Sequence, residues 1–196
     1  SRWNEALIPF DTGDHGMYVS SFHGMPGASS YDDKCAINEQ YFLHSIIRIM
    51  SRGNIPYMWC GDFNQDIYTS EAINMAIRKG ILFDVAHLYG IVDGDGKTLP
   101  TYNVKGIHEH MLQGNGSTRI DAVLVNRAAY DILKSVTYRY DLAHCDHVPI
   151  VVELDLERAC TSVCKWLQPR TFDLCLIGTI DQDTQQQIFL HVMESR

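Results

Sequence analysis

Ile55-Pro56-Tyr57-Met58-Trp59-Cys60-Gly61-Asp62-Phe63-Asn64 is the stretch on which the fold turns. Its first part is a short, unbroken apolar run, and its end is polar. A run so bounded predicts a buried strand over Ile55 to Cys60 with functional groups at its tip. On an extended chain Asp62 and Asn64 point the same way while Phe63 points into the core. Gly61 lets the backbone turn tightly or approach a ligand closely. A carboxylate beside an amide suits a phosphate: the first binds metal or takes a proton from water, the second donates to a phosphate oxygen. Asp and Asn also form plain strand-end turns, so this tip alone does not decide a function.

Reading outward, Met17 to Phe22 predicts a strand, followed by a polar turn from His23 to Ser30. A helix is expected over Asp33 to Met50, with Cys35, Phe42, Leu43, Ile46, Ile47, Ile49 and Met50 as its apolar stripe, Ser30 as N-cap and Arg52-Gly53 as its close. A second helix is expected over Ser70 to Lys79 with Gly80 as its stop, then a short strand within Leu82 to Leu88. Gly90 to Lys97 resembles a calcium loop only superficially, because Lys97 occupies a ligand place and the closing Glu is absent, so it reads as a surface turn. Arg119 to Asn126 predicts a strand, Arg127 to Lys134 a short helix and Val136 to Tyr140 another strand. In Val148 to Leu156 the residues Ile150, Val152, Leu154 and Leu156 face one way and Glu153 and Asp155 the other. Mixed strands and helices throughout indicate an α/β layered domain. The domain is expected to span 1–157, with 158–196 a connector and a polar helical tail from Asp181 to Met193.

Composition sets limits. The 196 residues are 45% hydrophobic and 20% charged, enough for one ordinary core. No apolar run approaches the roughly 18 residues of a membrane span. The net charge of -8 disfavours a general electrostatic binder of nucleic acid, though a metal site itself concentrates carboxylates. Cys35, Cys60, Cys145, Cys160, Cys164 and Cys175 form no C-x-x-C pair and read as free thiols of a reducing compartment. An intracellular location, the nucleus favoured, is the expectation.

Three further segments bear polar groups suited to chemistry. Arg119-Ile120-Asp121 opens a strand, and its bland reading is a surface Arg–Asp pair. Cys145-Asp146-His147-Val148-Pro149-Ile150 enters the last amphipathic strand; Asp121 and His147 could pair across adjacent strands, fixing the ring's tautomer. Asp146 could reach a metal. Ser21-Phe22-His23-Gly24-Met25-Pro26 ends the first strand, and His23 could protonate a leaving oxygen. Each element alone has an ordinary structural explanation.

Taken in order, Gly61-Asp62-Phe63-Asn64, Pro100-Thr101-Tyr102, Arg119-Ile120-Asp121 and Asp146-His147-Val148-Pro149-Ile150 resemble the motifs of the endonuclease/exonuclease/phosphatase family. That family includes DNase I, the AP endonucleases, inositol polyphosphate 5-phosphatases and the endonuclease domains of LINE-type retroelements. The resemblance covers roughly residues 17 to 157. It implies a DNase I-like four-layer α/β sandwich. It implies Asp62 as the residue that orients or deprotonates water, Asn64 as a phosphate contact, Asp121 as the partner orienting His147, and His147 as a phosphate-contacting histidine. Asp146 and Asp62 are the implied metal carboxylates, and His23 is the implied general acid. The cofactor would be Mg2+, or Mn2+, and the partner nucleic acid, DNA foremost.

The family's metal-binding Glu and a preceding Asn have no counterpart here; Glu5 and Glu39 lack the context. The expectation is therefore a chain lacking the N-terminal half of its domain, supplying mainly one sheet, with a bare apolar inner face and little activity alone. Lys165-Trp166-Leu167-Gln168-Pro169 and the helix after it weakly resemble the connector to a reverse transcriptase. Two other readings remain open: a phosphomonoesterase on a small phosphorylated molecule such as an inositol phosphate, and a catalytically dead binding module.

Overall fold

A computed structural model describes residues 2–10, 16–27, 33–103, 118–142 and 146–161, with side chains to 159. Strand β1 (Trp3–Pro9) pairs antiparallel with β2 (Gly16–His23). Helix α1 (Asp33–Ser51) then crosses over so that β3 (Tyr57–Asp62) lies parallel to β2, because parallel neighbours need such a connection. Helix α2 (Glu71–Arg78) follows a short 3-10 turn, and Ser70 caps it by accepting from the Ile73 N–H. Next come β4 (Phe83–Asp84), α3 (Val85–Leu88), β5 (Asp121–Val125), α4 (Arg127–Tyr130), β6 (Leu133–Tyr138), β7 (Ile150–Leu154) and α5 (Leu156–Thr161). The main sheet has the order β1-β2-β3-β5-β4, and β6-β7 forms a second, antiparallel sheet.

Side-chain alternation explains the layers. In β3, Tyr57 and Trp59 point to the helices, where they meet Phe22, Phe42, Ile46, Phe63, Ile73 and Leu124. Met58 and Cys60 point the other way, into a core shared with Met17, Val123, Val125, Ile132, Val136 and the Ile150, Val152 and Leu154 face of β7. The main sheet is thus packed between helices on one side and the second sheet on the other.

Several expectations need correction. The main sheet has five strands and the second two. The inner face is covered over β3 and β5, while exposure of large apolar side chains is pronounced on edge strand β1, at Leu7 (51%) and Ile8 (47%). The expected strand at Leu82 to Leu88 stops after two residues, because the Asp84 side chain accepts from the Ala86 N–H and starts a helical turn. Strand β1 has no counterpart in the sequence reading. Gly90 to Lys97 is a turn in which Asp93 accepts from the Asp95 and Lys97 N–H groups. Cys35 and Cys60 are free thiols. Ser30, Cys145, Cys164, Cys175, the connector and the tail helix lie outside the described residues, as does the side chain of Cys160. Among the described residues no helix is long and apolar enough to cross a membrane.

Candidate active site

Three neighbouring strands end at one level. His23 of β2 is in register with Asp62 of β3, and Asp62 is in register with Asp121 of β5. By parity each continues the row that faces the second sheet: Met17 and Val19 lead to His23, Met58 and Cys60 to Asp62, Val125 and Val123 to Asp121. The row is apolar where the second sheet covers it and polar where the cover ends. His23 Nε2 lies 3.7 Å from Asp62 Oδ2.

From the second sheet's side comes His147, whose Nδ1 lies 2.9 Å from Asp121 Oδ2. This pair does not join adjacent strands, as the sequence had suggested. The segment 101–103 lies between: Tyr102 bridges to Thr118 on one side and His147 on the other, and its ring packs on the imidazole at 4.9 Å between centroids. The pair therefore ties the two sheets together at the mouth of the gap.

Asp62 and Asp121 face each other directly in an antiparallel pair, an arrangement that like charges disfavour. Burial raises the Asp121 pKa, and the Asp62 charge adds to that; hydrogen bonds from His147 and Thr101 act in the opposite sense without cancelling it. For His147, burial opposes the charged ring, but the hydrogen bond to Asp121 and the charges of Asp121, Asp62 and Asp146 outweigh it and raise the pKa. Among the described residues, Asp62, Asp121 and His147 offer ligand atoms that all lie within 4.8 Å of one another. Oxygen and imidazole donors at that spacing fit a hard divalent cation.

Asn64 reaches the site differently from the alternation expected. It has φ 54°, in the left-handed region, so it is not extended. Its N–H donates to Asp62 Oδ1 at 2.8 Å, and its Nδ2 donates to Gly24 O at 3.2 Å. Phe63 is fully buried. Gly61 is needed for backbone contact rather than ligand approach: at φ 147° a Cβ would lie 1.9 Å from Phe22 O. Asp146 lies next to His147 and is exposed; it stands outside the three-residue group. Glu5 is remote in function, since Arg48, Arg52 and the Tyr57 hydroxyl all donate to it. Glu39 accepts from the Ala72 N–H at the start of α2.

Two buried polar residues had no role assigned to them from sequence. Thr101 Oγ1 accepts from the Ile120 and Asp121 N–H groups at 3.2 and 2.9 Å and is fully buried. Asn38 is also fully buried, and contacts both loops that flank Asp62. A usable signal existed for it: Asn38, Phe42, Ser45, Ile46 and Ile49 share the buried side of α1 at helical spacing, so one amide interrupts an apolar stripe.

No protein-family profile matches the chain, and no curated protein matches it. Solved structures do. A 3′-5′ exonuclease from Neisseria meningitidis aligns with TM-score 0.54 at 19% identity, over 78% of this chain and 70% of that one. The same Neisseria protein, described as a 3′ phosphatase bound to a product DNA hairpin, aligns with TM-score 0.54 at 18% identity and the same coverages. The endonuclease domain of TRAS1, a telomere-specific non-LTR retrotransposon, aligns with TM-score 0.54 at 15% identity, over 80% of this chain and 63% of that one. The chain has the DNase I-like α/β fold.

Proposed function

We propose that this chain forms part of a metal-dependent phosphodiesterase that hydrolyses nucleic-acid backbones, with DNA as the substrate and Mg2+ or Mn2+ as the cofactor. The observation that supports this reading above all is the row His23–Asp62–Asp121, in register at the ends of three strands and closed by His147. Two carboxylates opposite one another cost stability unless cationic partners offset them, and a histidine stands on either side. The fold neighbours support the same substrate class: one is titled an endonuclease domain and another was solved with a DNA hairpin.

Asp62 and Asp121 would hold the cation, and Asp146 stands at the rim. Bound there, the cation would neutralise a non-bridging phosphate oxygen. Asp62 takes a proton from the attacking water, whose oxygen bonds to phosphorus as the bond to the 3′ oxygen breaks. His23 gives the leaving oxygen its proton. His147, oriented through Nδ1 by Asp121, donates to a phosphate oxygen. Asn64 spends one Nδ2 hydrogen on Gly24 O and has a second for phosphate. A retroelement origin and a reverse transcriptase in the same polypeptide are part of this reading; for the first, one fold neighbour is the endonuclease domain of a non-LTR retrotransposon.

Mg2+ is held by few protein oxygens and several waters. Two carboxylates form a thin set, so the chain alone is expected to bind cation weakly and to cut poorly. The test has two parts. Mn2+ added to the 196-residue chain should broaden the NMR signals of Asp62, Asp121 and His147 first. The longest natural polypeptide containing the chain should nick plasmid DNA with Mg2+, and Asp62→Asn should abolish nicking. No Mn2+ effect at those residues, together with no nicking, would overturn the proposal. Release of phosphate from 3′-phosphorylated DNA without nicking would make the enzyme a phosphomonoesterase instead.

A further inference from the structure

We infer that Asn38 is a positioning residue that locks the His23 loop to the Asp62–Asn64 loop. Its purpose, holding a general acid beside a water-activating carboxylate, rests on the function proposed above. The clamp itself is independent of that function.

The geometry leaves one orientation for the amide. Met25 N–H lies 2.8 Å from Asn38 Oδ1, and a backbone N–H can only donate, so the oxygen must face Met25. The nitrogen then faces the other loop, donating to Gln65 Oε1 at 3.0 Å and Phe63 O at 3.4 Å. A single side chain from α1 thus holds the chain directly after His23 and the chain directly after Asp62. Asn38 is fully buried, so water does not compete for these bonds.

The two loops also touch without it. Gly24 N–H donates to Asp62 O at 2.8 Å. Gly24 O accepts from Asn64 Nδ2 and, at 2.6 Å, from Arg2 Nη1. A Cβ on Gly24 would lie 2.2 Å from Phe63 O. Backbone bonds of this kind set the loops' separation but leave their ends free to twist. The Asn38 amide closes a ring through Met25, Gly24, Asp62 and Phe63 that removes the twist. His23, 62% exposed and 3.7 Å from Asp62, has little packing of its own to hold it. Its backbone is held by strand pairing with Asp62 and by Arg2 O, which accepts from the His23 N–H at 3.0 Å; the ring fixes the turn that leads away from it.

The chain carrying Asn38→Ala, Asn38→Asp or, as a control on the same buried helix face, Ser45→Ala is compared with wild type by amide exchange and Mn2+ titration. Asn38→Ala should speed exchange at Met25 about tenfold beyond any change at Trp59 in the core, the loss of one hydrogen bond. Asn38→Asp keeps the acceptor and should keep Met25 protected while freeing the Phe63–Gln65 side. In both, Mn2+ should broaden Asp62 with His23 less affected than in wild type. If Asn38→Ala does not fold, Asn38→Asp decides by exchange over residues 63–65 and by the broadening at His23, with Met25 as its unchanged reference. Exchange at Met25 and broadening at His23 that match Ser45→Ala would overturn the clamp. Should wild type bind no Mn2+, the metal reading fails, and exchange at Met25 still decides the clamp.

Discussion

Two acid–base pairs begin two residues apart at the mouth of β5 and behave oppositely. Arg119 holds Asp84 with two bonds, Nη1 to Oδ2 at 2.8 Å and Nη2 to Oδ1 at 2.6 Å, with side chains only 3% and 2% exposed. Tyr68 and the Ala86 N–H add donors to the same carboxylate. Burial opposes the Arg119 charge, but Asp84 outweighs it and pushes its pKa above the usual range. Asp121 and His147 share one bond and are 17% and 36% exposed, with Asp62 directly opposite. A sealed pair whose carboxylate already accepts from Arg119 twice, Tyr68 and Ala86 has no oxygen left for a ligand and can only hold elements together. An open pair beside a second carboxylate stays accessible and keeps negative charge concentrated, and that is what a cation can use.

The contrast is broken most directly by Arg119→Ala. It strands the Asp84 carboxylate in the core and should cost about 3–5 kcal/mol, read from urea unfolding. The double variant Arg119→Met with Asp84→Leu should recover most of that, because both charges leave together. A loss below about 1 kcal/mol for the single variant would mean that water reaches Asp84 and the pair is not sealed.

Asp121→Asn sharpens the same comparison from the open side. It removes the negative charge facing Asp62, so stability should change by less than about 1 kcal/mol, and could rise. Cation affinity should nevertheless fall about 10–100-fold, since the group that orients His147 is lost. Stability and binding measured on one sample check both halves; a large drop in stability with unchanged Mn2+ affinity would make this a second structural pair.

The sequence distinguished these pairs poorly. It marked Asp121 and His147 through the motifs around them, yet gave Arg119 as a surface partner and passed over Asp84, because partners far apart in the chain meet only through packing. The same limit hid Asn38 and the part played by Thr101, since both act through the segments they touch. Periodicity did reveal α1 and the alternation of β7, where one face packs inward along the element, and an unbroken apolar run revealed β3, which packs on both faces. It missed β1, since Trp3 and Glu5 face the helices while Asn4, Leu7 and Ile8 are exposed, which leaves no apolar alternation to read. His23, Asp62 and Asp121 could be named individually, but their common level depends on strand register, which no local pattern encodes.

A third carboxylate, Glu5, tests where sealing alone makes a pair structural. It lies on an edge strand, yet Arg48, Arg52 and the Tyr57 hydroxyl converge on it. Burial works against its charge, but those three donors prevail and bring its pKa down to about 2. A lowered carboxylate pKa adds stability that is fully present above the unfolded value of 4.5 and is lost as pH falls toward 2. Discounted for solvent screening, the contribution is about 1 kcal/mol at neutral pH. Glu5→Gln should therefore be less stable than wild type near about pH 7, and the difference should shrink below about pH 4.5 and vanish near about pH 2. Unfolding curves for both proteins across that range check it. A difference that stays constant with pH would mean that Glu5 acts through hydrogen bonds that glutamine also loses in part, and that its charge contributes nothing.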